Sequence, residues 1–145
     1  MEPRISLITL GVADLERSLR FYRDGLGLPT TWTADKGVVF LTTRGTAISL
    51  YPLANLARDL GPDYEAAAAS PARFSGITLA HNVREKSDVD RILAQAESAG
   101  ARVIKPGHDV FWGGYVAYFA DPDGHIWEIA WGAFPFNDDG SLAIP

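Results

Sequence analysis

Asp121-Pro122-Asp123-Gly124-His125-Ile126-Trp127-Glu128-Ile129-Ala130-Trp131 is the stretch that decides how this chain folds. Its first four residues are turn chemistry. Proline presets φ, glycine accepts a positive φ, and aspartate bonds its own backbone. Tyr115-Val116-Ala117-Tyr118-Phe119 precedes the turn and Ile126 to Trp131 follows it, so a β-hairpin is predicted. Alternation along the second strand sets Ile126, Glu128 and Ala130 on one face and Trp127, Ile129 and Trp131 on the other. A carboxylate inside so apolar a strand needs a partner, a metal or water. What Glu128 faces is therefore the question that organises the rest of the chain.

Upstream of the hairpin, residues 76–83 read as a strand and Ser87 or Asp88 as the cap of a helix. Val89, Ile92, Leu93 and Ala96 form that helix's apolar stripe, and Gly100 stops it. Residues 102–106 read as a short strand, followed by a loop over 107–114. The first half runs in the same order. Residues 5–12 form a strand and Asp14 caps a helix with Leu15, Ser18, Leu19 and Tyr22 at helical spacing. Gly25 and Gly27 end it. Strands are then predicted over 30–33, 38–42 and 46–51, with Pro52 closing the last. The chain is thus β-α-β-β-β twice: a first module over about 5–52 and a second over about 74–131. Residues 53–73 read as a connector with one or two short helices, Ala-rich from Tyr64 to Ser70 and closed by Pro71. Residues 132–145 read as a loosely held tail.

The 145 residues suit a single domain of two half-modules, and 47% hydrophobic residues suffice for a core. A net charge of −5 argues against nucleic acid or an anionic membrane as partner. With no cysteine there is no disulfide framework, thiolate nucleophile or Cys-type zinc site. No signal peptide or membrane-spanning run is read, and a cytoplasmic location is expected.

Leu10-Gly11-Val12-Ala13-Asp14-Leu15-Glu16-Arg17-Ser18-Leu19-Arg20-Phe21-Tyr22, then Gly25-Leu26-Gly27-Leu28, then Asp121-Pro122-Asp123-Gly124 followed by Glu128, resemble the vicinal oxygen chelate superfamily. Its members include glyoxalase I, extradiol dioxygenases, methylmalonyl-CoA epimerase and the bleomycin-resistance proteins. The resemblance spans nearly all of residues 5–131. It implies an α+β fold in which two tandem βαβββ modules form a curled mixed sheet around a cleft, often completed by a second subunit. In metal-dependent members the cleft holds a divalent cation on His, Glu or Gln side chains of the first and last strands. Carried over one at a time, those positions fall on Leu7, Ser49, Thr78 and Glu128. Only Glu128 is a ligand-type residue, and catalytic metal sites need about three protein ligands. No metal ligand and no cofactor are therefore predicted.

Glu128 is the candidate catalytic or ligand-bonding residue. Trp32, Phe40, Tyr51, Phe111, Trp112, Tyr115 and Tyr118 are expected to border the cleft, with Trp112-Gly113-Gly114-Tyr115 its best ligand-side segment. Thr9, Ser49, Thr78 and Asn82 would supply polar handles. The predicted ligand-binding set is Trp32, Phe40, Ser49, Tyr51, Thr78, Asn82, Trp112 and Tyr115. His81 is expected in the core, His125 at an exposed turn, and His108 in the loop beside the cleft mouth. These features favour a metal-independent small-molecule binding protein of the glyoxalase/bleomycin-resistance type, acting as a homodimer on an aromatic or cationic ligand. The alternative is a lyase, isomerase or dioxygenase of the superfamily, using a divalent metal on unforeseen ligands or Glu128 as general base. A small sensing domain with an incidental cleft is a third reading.

Overall fold

The computed structural model describes residue 1 and residues 5–68 and 75–143, which fall into two units, Met1–Gly76 and Ile77–Pro145. The first unit holds a three-stranded sheet of β1 (Leu7–Val12), β2 (Val39–Leu41) and β3 (Ala47–Pro52), in the order β1-β3-β2. β1 and β3 are parallel, so the chain between them needs a crossover. Helix α1 (Leu15–Leu19), continued by a π-helical turn over Arg20–Gly25, supplies it. Asp14 caps α1 as its sequence predicts, its carboxylate accepting from Arg17 N at 3.0 Å. Leu19, Phe21 and Tyr22 are buried together with Leu10, Val12, Val39, Leu41, Ile48 and Leu50, all on one face of the sheet.

The strand expected over 30–33 does not form. The Thr30 hydroxyl donates to the Phe40 carbonyl (2.6 Å) and accepts from Trp32 N (2.9 Å), so a side chain stands where a ladder bond would run. The first unit is therefore β-α-β-β, one strand fewer than the sequence suggested. The connector folds as two helices, α2 (Leu53–Leu60) and α3 (Pro62–Ala68). α2 approaches β1 closely at Gly11, where any Cβ would meet Leu53 and Leu56. The connector's predicted end at Ser70 and Pro71 lies outside the described residues.

The second unit is a full βαβββ module. Its sheet runs β4 (Leu79–Val83), β7 (Ile126–Trp131), β6 (Tyr115–Ala120), β5 (Arg102–Asp109). Helix α4 (Lys86–Ser98) packs on one face, with Val89, Leu93 and Ala96 buried along its stripe. Neither Ser87 nor Asp88 caps it. The backbone is still extended at Glu85, which occupies the cap position without a side-chain bond, and the Asp88 carboxylate binds Arg91 instead (2.9 Å). The C-terminus closes as a Schellman turn: Ala101 N donates to Ala96 O, Gly100 N to Glu97 O, and Gly100 has a φ of 107°.

β5 is longer than the predicted 102–106. It continues to Asp109 through two register shifts, between Val103 and Lys105 and between Lys105 and His108. Only residues 110–114 remain as a loop, tied by Val110 N to Gly114 O and Gly113 N to Val110 O. The tail is not loose. Phe134 lies against Trp112 with centroids 5.7 Å apart, the Arg84 guanidinium sits 4.4 Å above the Phe136 ring, and Phe136 bridges to Leu142.

Candidate functional site

The opening hairpin forms as read. Asp121 is only 4% exposed, and its Oδ1 accepts from Asp123 N (2.9 Å) and His125 N (2.8 Å), which shapes the turn. Asp121 N bonds His125 O, and Gly124 takes the left-handed φ of 93°. This turn sets the register Ala120↔Ile126, and the register sets everything beyond it. Tyr118 lies directly opposite Glu128, and Ala80 of β4 lies opposite Glu128 on its other side.

The sheet therefore has two chemically distinct faces. Val83, Ala117, Phe119 and Ile129 are buried on the α4 side. Ala80, Asn82, Glu128, Ala130, Tyr118 and Val116 share the other. On that face Glu128 is half-buried, and its partner is Tyr118. Desolvation first, then the charge of Glu128 and a hydrogen bond to it, raise the Tyr118 phenol above its ordinary value. The phenol thus stays protonated and faces the carboxylate across the strand pair. Three β5 residues join the face: Arg102 opposite Ala120, Lys105 opposite Tyr118 and His108 opposite Val116. The His108 and Tyr118 ring centroids are 6.4 Å apart. His108 Nδ1 lies 2.9 Å from the Pro106 carbonyl, an acceptor only, so this nitrogen carries the proton.

The first unit collects four predicted residues on one sheet face of its own. Phe40, Ser49 and Thr9 are in register across the three strands, and the Ser49 hydroxyl donates to Thr9 Oγ1 at 2.8 Å. Ser49 is 1% exposed. Trp32 packs edge-on against Phe40 with centroids 4.8 Å apart. Tyr51 faces Asp59 of α2; desolvation and then that carboxylate raise its phenol.

Several expected residues are placed differently. Thr78 precedes β4 and is exposed. Tyr115 points to the α4 side: its hydroxyl donates to the Asp90 carboxylate (3.1 Å) and Lys86 stands over its ring at 4.5 Å. It does not share the Glu128 face. Trp112 covers Gly114 and Gly132, whose missing Cβ atoms make room for its ring, and remains 46% exposed. His81 faces the helix, as its phase predicted, but it is exposed rather than a core residue. Its imidazole is desolvated enough to lower its pKa, with Asp88 opposing and Arg91 adding to the effect. His125 is not solvated at Nε2, which is buried.

The donor set does not fit the superfamily's divalent cation. Leu7 and Ser49 lie on β1 and β3 with no carboxylate or imidazole beside them in register, and Thr78 sits outside β4. Among the described residues, Glu128 shares its sheet face with one other ligand-type side chain, His108. Among the described residues no three His, Asp or Glu side chains are placed to hold a metal ion.

Two successive modules of the β-α-β type, each with its own mixed sheet, define a class of protein built by duplicating one motif. A family model of the Glyoxalase/Bleomycin resistance protein/Dioxygenase superfamily matches residues 4–129, and the chain belongs to that superfamily. It is 31% identical over 124 residues to the uncharacterized protein YraH of Bacillus subtilis (strain 168), covering 84% of this chain and 93% of the other. It is similar to the crystal structure of a glyoxalase-related enzyme from Fulvimarina pelagi, with a TM-score of 0.86, 34% identity and 98% of each chain covered. The fold is also that of the lactoylglutathione lyase from Agrobacterium tumefaciens (TM-score 0.64, 21% identity, 90% and 94% covered). No described helix is long and apolar enough to cross a membrane.

Proposed function

We propose that this protein binds a small organic molecule without a metal ion, on the Glu128 face of its second sheet. The observation that carries the reading is the pairing of Glu128 with Tyr118 on a face where Ala80 is exposed, Asn82 half-buried, and Val116 and Ala130 buried beneath. One phenol satisfies part of the carboxylate, which retains lone pairs for a ligand donor. The exposed Ala80, opposite Glu128, leaves room beside the carboxylate for a ring. In this reading the working form is a homodimer.

The test is a thermal-shift and calorimetry screen of aromatic amines and drug-like compounds on chelator-treated protein. A ligand at 100 times its Kd adds about 2.7 kcal/mol of stability. Glu128→Gln is expected to fold and to weaken the best ligand at least roughly tenfold, as loss of a hydrogen bond to a charged group does. Unchanged binding in Glu128→Gln would remove Glu128 from the site. The likeness to a glyoxalase-related enzyme supports a second reading, in which Glu128 takes a proton from the bound molecule. Turnover of a bound ligand that stops in Glu128→Gln, with binding retained, would favour it.

A further inference from the structure

β5 is an irregular strand, and its irregularity is placed where it changes what the Glu128 face presents. A regular strand alternates strictly, so Val103, Lys105, Gly107 and Asp109 would share one face. The two register shifts break this. Val103 pairs with Phe119 and Asp109 with Tyr115 on the α4 side, while Lys105 pairs with Tyr118 and His108 with Val116 on the Glu128 side. Bulges re-aim side chains in this way next to functional sites. Pro106 lies between the two re-aimed residues and lacks an N–H for the ladder. Its carbonyl binds His108 Nδ1 at 2.9 Å. With the proton on Nδ1, neutral His108 has its only free lone pair on Nε2. The face therefore carries two acceptors, the Glu128 carboxylate and His108 Nε2, one on either side of the Tyr118 column. The Tyr118 and His108 rings, 6.4 Å apart and tilted by 39°, form an aromatic wall between them.

We propose that His108 and Tyr118 are ligand-binding residues, and that the ligand is a neutral flat ring bearing two N–H or O–H donors, one for Glu128 and one for His108 Nε2. This rests on the Glu128 face being the binding site. Lys105, opposite Tyr118 on the same face, disfavours a cationic ligand, which is why the donors belong on an uncharged ring. A ligand with acceptors alone would meet two acceptors and leave them unpaired.

Two probes with one ring separate the possibilities. Meta-diaminobenzene is neutral near pH 7 and carries N–H donors at both ends. Its tetramethylated form keeps the ring and removes every donor. Full-length protein titrated with each and followed by NMR is expected to bind the diamine with millimolar or better affinity and the tetramethyl form at least about tenfold more weakly. His108→Phe keeps a ring and removes Nε2, and is expected to weaken the diamine several-fold, as Glu128→Gln does. In the wild type, the His108 Nε2 resonance should move on binding while Nδ1 stays protonated, a readout that does not depend on a variant folding. Equal binding of the two probes, no binding of the diamine at millimolar concentration, or an unmoved Nε2 would overturn the proposal. A diamine that loses affinity in Glu128→Gln and keeps it in His108→Phe would leave the Glu128 site standing and remove His108. Affinity unchanged in both variants would sink the Glu128 site itself.

Discussion

Glu128 sits between Trp127 and Ile129, and a carboxylate there is tolerated because Tyr118 gives it a proton to accept. The same device occurs twice more, with Tyr51 facing Asp59 and Tyr115 facing Asp90. In all three, desolvation first and the facing carboxylate second raise the phenol above its ordinary value of 10.0. The folded state then holds the phenol proton more tightly than the unfolded chain. Stability from these tyrosines is complete below pH 10 and falls as pH rises from there through the raised values. Tyrosinate absorbance and urea unfolding measured together across that window should show three late-titrating phenols and a matching loss of stability; phenols that titrate at the ordinary value would contradict the pairing. Glu128 was legible in the sequence because a charge in an apolar strand demands explanation. Its partner was not, because Tyr118 is opposite Glu128 only when the turn has the length that Asp121 imposes, and a shift of one residue puts Tyr118 on the other face.

Turns and bulges are the elements on which this site depends. Asp121 is buried and holds two backbone N–H groups with one oxygen, so Asp121→Ala leaves both unsatisfied. A loss of about 1–3 kcal/mol is expected, seen as a lower midpoint in thermal unfolding. Midpoints within error of wild type would mean the turn is shaped by Pro122 and Gly124 alone. Gly107 is the tight point of β5. A Cβ there would run into Asp90 and Tyr115, so Gly107→Ala must part that hydrogen bond. Destabilisation of about 1–3 kcal/mol is expected, reduced when Tyr115→Ala, which removes the ring the new Cβ meets, is already present. The sequence misled here for a physical reason. Pro106 and Gly107 read as a strand end, because proline cannot donate and glycine weakens a strand, yet both residues are also what a bulge uses. Thr30 to Thr33 misled in the opposite direction. β-branched residues favour a strand, but the Thr30 hydroxyl competed for the Phe40 carbonyl and won.

At the scale of the whole molecule, the repeated order of strand, helix and strands was legible because each copy carries its own apolar periodicity and glycine stops. What composition hid was the tail. Glycine, proline and aspartate after Trp131 read as loose chain, but Phe134 and Phe136 are spent on Trp112 and Arg84. Deleting residues 133–145 should expose Trp112, lower the thermal midpoint and red-shift tryptophan emission; an unchanged spectrum would show that the tail is not held. The superfamily's cation positions fall on Leu7, Ser49, Thr78 and Glu128, and among the described residues no three His, Asp or Glu side chains are placed to hold a metal ion. The most direct test is the metal content of untagged, freshly purified protein, before and after incubation with nickel, zinc, manganese and ferrous iron. Metal near background in every case is the result this account predicts. Near-stoichiometric metal that disappears in Glu128→Ala would contradict it and return the protein to metal-dependent chemistry.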